Sequence, residues 1–158
     1  MKVHLTTLGC PKNQVDSELM LGMLTEAGFP LAAAPEDAEC VIVNTCAFID
    51  RAREESINTI LELAKLKERG ACRALIVTGC LTQRYGSEIL KEIPEVNAIL
   101  GTSELDRIIA LVSQADGRRD WVTSAPPGYL YDASAPRRFT TRLPYAYVKI
   151  AEGCDMGG

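Results

Sequence analysis

The 158-residue chain reads as an α/β protein: an open parallel-sheet three-layer sandwich built from four βα units. Three stretches carry that reading. Val3-His4-Leu5-Thr6-Thr7-Leu8-Gly9-Cys10, Val41-Ile42-Val43-Asn44-Thr45-Cys46 and Ala74-Leu75-Ile76-Val77-Thr78-Gly79-Cys80 are short β-branched runs that stop at a cysteine, and each precedes a stretch of helical periodicity. Apolar runs alternating with amphipathic helices indicate βαβ units and a parallel sheet. In such a sheet the C-terminal ends of all strands lie on one edge, where open α/β folds place their ligands. Cys10, Cys46 and Cys80 are therefore expected to meet at one rim.

The first strand, about 2–8, leads through Gly9-Cys10-Pro11 into a helix over about 13–27, with Asn13 as its cap and Gly28 and Pro30 as its stop. After an acidic loop, the second strand (40–45) leads to a helix capped by Asp50 and running to about Arg69, with Ile57, Ile60, Leu61, Ala64 and Leu66 as much of its apolar stripe. The third strand, 74–78, passes through Gly79-Cys80 into a helix halted by Pro94. A fourth short strand, 98–100, turns at Gly101 toward a helix ending near Gln114, where Ser103 and Asp106 resemble a capping box. Right-handed crossovers are nearly obligatory in this arrangement.

Three domains follow from the change of character after residue 115. Residues 1–115 form the α/β domain. Residues 116–144 form a linker, interrupted by Pro126, Pro127, Gly128, Pro136 and Pro144 and carrying five arginines that read as solvent-facing. Residues 145–158 open a new strand at Tyr145-Ala146-Tyr147-Val148-Lys149-Ile150 and read as the truncated start of a second domain.

A net charge of −4 and a near-half apolar composition fit a globular core and argue against a broad phosphate-binding surface, so nucleic acid is not the expected partner of this segment. No run reaches the length of a membrane span and the N-terminus lacks a secretory pattern, which points to the cytoplasm and no membrane. In that reducing compartment six cysteines read as metal ligands, catalytic thiols or core residues rather than disulfides.

The three strand-end cysteines each sit near the start of a helix, where the macrodipole favours thiolates or an anionic cluster. Thiolate sulfur suits zinc or an iron–sulfur centre. The lone histidine, His4, stands six residues before Cys10, roughly 20 Å away along a strand, and reads as structural. Cys40 and Cys72 start or precede strands and point to the far edge as core residues. Three thiolates without a fourth protein ligand suit an iron–sulfur cluster with one open iron better than a structural zinc; three buried strand-end cysteines with no metal are the plain alternative. Gly101-Thr102-Ser103 reads as a turn rather than a phosphate cradle, and Tyr129, Tyr131, Tyr145 and Tyr147 as packing residues.

The motifs T-L-G-C-P-K-N-Q-V-D-S-E-L-M-L-G, V-N-T-C-A-F-I-D, V-T-G-C-L-T-Q-R-Y and P-E-V-N-A-I-L-G-T together resemble the N-terminal domain of the radical-SAM methylthiotransferases. The G-C-P-K-N version resembles the branch that methylthiolates an aspartate of a small-subunit ribosomal protein; the tRNA-modifying branch has a G-C-Q-M-N version. The resemblance implies that Cys10, Cys46 and Cys80 hold an auxiliary [4Fe-4S] cluster. It implies a second [4Fe-4S] cluster in a following barrel, which cleaves S-adenosylmethionine to a radical that removes a hydrogen from the substrate carbon.

Y-A-Y-V-K-I-A-E-G-C-D is similar to the beginning of that barrel and makes Cys154 its first cluster cysteine. The pattern calls for a second cysteine where Gly158 stands, so the motif is incomplete and this chain alone is expected to be inactive. Asn13 and Asn44 are candidates for shaping the cluster rim. A tRNA adenosine substrate, and a non-catalytic zinc or partner-binding domain, are the competing functions.

Overall fold

The computed structural model describes residues 1–114, 120–121, 131–140 and 144–150. Five strands, β1 (Val3–Thr7), β2 (Cys40–Thr45), β3 (Ala74–Gly79), β4 (Ala98–Leu100) and β5 (Asp120–Trp121), form one parallel sheet in that order. The helices are α1 (Pro11–Glu26), α2 (Asp50–Glu68), α3 (Cys80–Glu92) and α4 (Ile108–Gln114). The four anticipated strands are present, and β5 is an addition inside the stretch read as linker. The anticipated strand over 145–150 is not formed: that segment pairs with no strand among the described residues.

Alternation along the strands divides the core. Val3, Ile42, Ile76 and Leu100 face α1 and α4, whereas Val41, Val43, Leu75, Val77 and Ile99 face α2 and α3. Both faces are covered, so β2 and β3 are buried at every position, as expected for the near-continuous apolar runs of a parallel sheet. Each fully buried Ile or Leu contributes about 1.5–3 kcal/mol relative to exposure.

Val3 is paired on both flanks: with Cys40 of β2, and through an isolated parallel bridge with Leu31. The chain thus leaves β1 through α1 to one side, touches the sheet at Leu31, and returns to the other side as β2. The winding direction reverses between β1 and β2, and open α/β sheets bind ligands outside the carboxyl ends of the strands at such a switch point.

Several helix assignments shift. Neither Asn13 nor Asp50 is a cap: α1 begins at Pro11 with Cys10 as its N-cap, and α2 begins at Asp50 after Ile49. Pro11 starts α1 because its fixed φ suits a first helical position, which draws Asn13 inside the helix. The buried stripe of α2 is Ser56, Ile60, Leu63, Ala64 and Leu66, leaving Ile57 and Leu61 exposed. Instead of a capping box, a 3-10 turn over Leu105–Arg107 precedes α4, and Ser103 is buried.

Candidate metal centre

The rim between β1, β2 and β3 is set by register. Thr45 pairs with Gly79, so Cys46 and Cys80 each follow immediately on the paired ends of adjacent strands. Thr7 pairs with Asn44, and the Leu8 amide donates to the Asn44 carbonyl at 2.9 Å, which carries the β1 ladder to within two residues of Cys10.

Two glycines let these chains come close. Gly9 has φ +90°, and a β-carbon there would lie 2.9 Å from Cys46 Sγ and 3.3 Å from Asn13 Nδ2. Gly79 has φ +102°, and a β-carbon there would lie 2.5 Å from Asn44 Oδ1 and 2.8 Å from the Thr45 amide nitrogen. Both positions combine a left-handed backbone with contacts that only a hydrogen fits.

A polar scaffold fixes the corner. Asn13 Nδ2 donates to the carbonyls of Leu8 and Thr45, each at 2.9 Å. Asn44 Nδ2 donates to the Asn13 carbonyl at 2.8 Å and to Ser17 Oγ at 3.0 Å. The two asparagines named from the sequence therefore stitch strand ends to α1, satisfying the buried carbonyls of Thr45 and Asn13 and the part-buried one of Leu8. The Ser56 hydroxyl accepts from the Cys46 amide at 3.1 Å and donates to the Cys46 carbonyl at 2.8 Å. Ser56 replaces direct helix capping at Cys46, since α2 starts four residues later.

Cys10 is exposed, Cys46 buried and Cys80 half-buried, all as free thiols. Burial pushes the Cys80 thiol up; Lys12 opposes this, while Cys46, Cys10 and Asp16 add to it. Cys80 Sγ lies 4.0 Å from Asn13 Oδ1. The three cysteines thus gather at one corner. Among the described residues, no group of three His, Cys, Asp or Glu is arranged to hold a single metal ion.

The remaining candidates lie elsewhere. His4 Nδ1 donates to the Ala32 carbonyl at 3.1 Å, at the opposite end of β1. Burial drives the Cys40 thiol up to about 12, with neighbouring Cys72 adding to the rise, and the Cys72 thiol is likewise pushed up by burial; both are buried core residues. Cys154 lies outside the described residues, as do Tyr129 and the Met156-Gly157-Gly158 end. Tyr145 and Tyr147 stack edge to face but stay exposed.

What the sequence reading missed is the polar face of α1. Asp16, Ser17 and Glu18 are buried, although D-S-E in a helix ordinarily marks a solvated side. Ser17 turns to the sheet, where its hydroxyl meets Thr7 and Asn44, and residues from 131–140 and 144–150 cover Glu18 and Asp16. Arg137, expected to face solvent, places Nε 2.9 Å and Nη2 2.7 Å from Glu18 Oε2, and the Thr140 amide and hydroxyl both donate to Glu18 Oε1 at 2.8 Å. Gly22 leaves space for the backbone at Pro136 and Arg137. The available signal was the pairing of an acidic, glycine-containing helix with a basic downstream stretch.

No helix among the described residues is long and apolar enough to cross a membrane. The chain is similar over nearly its whole length to curated proteins named ribosomal protein uS12 methylthiotransferase RimO. The relative from Heliobacterium modesticaldum is 50% identical over 98% of this chain and 34% of its own length. Those from Desulforamulus reducens and Myxococcus xanthus are 52% and 49% identical, each over 97% of this chain and over 35% and 32% of their own lengths. The chain thus spans about a third of these relatives. Residues 2–101 match the family described as uncharacterized protein family UPF0004, and the chain belongs to that family.

Proposed function

We propose that this chain is the auxiliary-cluster part of a methylthiotransferase that modifies an aspartate of a small-subunit ribosomal protein, uS12 in the relatives' names. The observation that carries the proposal is the gathering of Cys10, Cys46 and Cys80 at the switch-point corner, on a backbone tight enough to require glycine at 9 and 79. The donor set is all sulfur, as iron–sulfur clusters prefer. Three thiolates without a fourth protein ligand suit [4Fe-4S] better than a structural zinc, which takes four protein ligands.

When bound, such a cluster supplies an iron without a protein ligand, able to carry the sulfur that is transferred. The chain's own residues do the holding. Asn13, Asn44 and Ser56 fix the backbone beside Cys10 and at Cys46, and the Thr82 hydroxyl donates to the Gly79 carbonyl beside Cys80, while exposed Cys10 leaves one side of the corner accessible. Residues 1–115 form this domain, joined by β5 in its sheet and by residues 131–140 on α1, and the stretch from Tyr145 onward leads into the part that carries the second [4Fe-4S] cluster and S-adenosylmethionine, with Cys154 as its first ligand. The full enzyme works in the cytoplasm, where its ribosomal substrate is made.

Anaerobic reconstitution with iron and sulfide tests the proposal. The wild-type chain takes up both in comparable amounts with a thiolate-to-iron charge-transfer band, and Cys46→Ala loses the band. Uptake of zinc with no sulfide would overturn the cluster. Addition of a methylthio group to tRNA, with uS12 left unmodified by the full enzyme, would overturn the substrate.

A further inference from the structure

Asp16 and Lys149 form an ion pair at 2.5 Å, with side chains only 3% and 5% exposed. Asp16 lies one helical turn beyond Asn13, on the same side of α1, and the Asn13 amide is the group that reaches Cys80. Lys149 arrives from the far end of the covering segment. Its ammonium also sits 5.1 Å from the centre of the Tyr131 ring. Arg137, anchored on Glu18, donates to the Tyr147 carbonyl at 2.6 Å and so fixes the backbone two residues before Lys149.

A buried carboxylate beside an anionic sulfur cluster disfavours adding an electron to that cluster, and the interaction is strong where water is excluded. An ammonium in contact with the carboxylate cancels most of that field. The charge beside the cysteine corner therefore depends on whether the segment ending at Ile150 is seated on α1.

We infer that the Asp16–Lys149 pair tunes the reduction potential of a cluster held by Cys10, Cys46 and Cys80, and couples that potential to the docking of residues 131–140 and 144–150 on α1. The inference rests on the cluster reading above. Asp16 and Lys149 are positioning residues and ligate nothing. Lys149 raises the potential by neutralising Asp16, and undocking of the segment lowers it.

The test is a reductive titration of the anaerobically reconstituted chain with dithionite, which donates one electron per cluster, followed by paramagnetic resonance of the reduced form. Asp16→Asn removes a negative charge beside the cluster and shifts the potential upward. Lys149→Met removes a positive charge and shifts it downward. The double variant Asp16→Asn/Lys149→Met, with no charge at the pair, returns close to wild type, and Lys149→Arg keeps the wild-type potential.

A purely structural role would move both single variants the same way, or neither. Amide exchange in β2 and β3 checks that each variant is folded; should Lys149→Met fail that check, Lys149→Gln takes its place with the same expected sign. Shifts of one sign, or a double variant that does not return, overturn the inference alone. Absence of any cluster in the wild-type chain overturns both this inference and the cluster reading.

Discussion

Gly9 packs against Cys46 so closely that a β-carbon on it would approach the cysteine sulfur to 2.9 Å. The first strand's exit and the second strand's end are thereby held as one wall of the corner, although 36 residues of chain separate them.

Gly9→Ala should accordingly cost more than Gly28→Ala. Gly28 has a similar φ of +83° but nothing within 4 Å of a β-carbon, so alanine there bears only the left-handed backbone cost of about 1–2 kcal/mol. At Gly9 the collision adds to that cost. Urea denaturation should rank the two variants in this order, and iron uptake should fall for Gly9→Ala alone.

Removing the Ser56 hydroxyl strips the Cys46 amide and carbonyl of a shared partner inside a buried site. Ser56→Ala should destabilise the chain by about 1–3 kcal/mol. Cluster retention after reconstitution should drop as well, because the Cys46 backbone loses its anchor.

Glu18 makes the docking of residues 131–140 dependent on pH. Burial raises its carboxyl pKa, but hydrogen bonds from Thr140, Arg137 and Gln14 outweigh burial and hold it below its ordinary 4.5. A carboxyl depressed in the folded state adds stability that is fully present above the unfolded value and disappears as pH falls through the folded one. The difference in urea midpoint between wild type and Glu18→Gln should be largest near neutrality and shrink progressively as pH drops below about 4.5. A difference constant across that range would contradict the assignment.

The thiols should divide by access. In the metal-free chain iodoacetamide should modify exposed Cys10 first, while Cys40, buried and with its thiol pushed up to about 12, should react only on unfolding, because the thiolate is the nucleophile. Mass mapping after reconstitution should show Cys10 protected.

The facing of α2 can be checked with two leucines. Leu63→Ala should cost about 2–5 kcal/mol as a buried truncation, whereas Leu61→Ala, 45% exposed, should stay within about 0.5 kcal/mol. Thermal denaturation of the pair separates the observed helix face from the one its periodicity suggested.

The outline of the fold was legible because burial leaves a local trace. Val41-Ile42-Val43 and Leu75-Ile76-Val77 are apolar on both faces, and only a strand inside a covered parallel sheet needs that. The fourth strand, Ala98–Leu100, was readable to the residue. α2 was misaligned because Ile57 and Leu61 fit a helical stripe as well as Leu63 does; nothing local distinguishes an apolar side chain left in water from one in the core. α1 was harder still, since its acidic residues are buried by a segment more than a hundred positions downstream.

By itself, then, the order of residues determined the alternation of strands and helices and the placement of Cys10, Cys46 and Cys80 just past three strand ends, since side-chain pattern and turn chemistry act over a few residues. Only tertiary structure decided that the winding reverses at Leu31, that Gly9 and Gly79 close the corner, and that Glu18 and Asp16 find Arg137 and Lys149. Those outcomes depend on register and on contacts between distant stretches of chain, where the energy comes from pairing and burial that no short window contains.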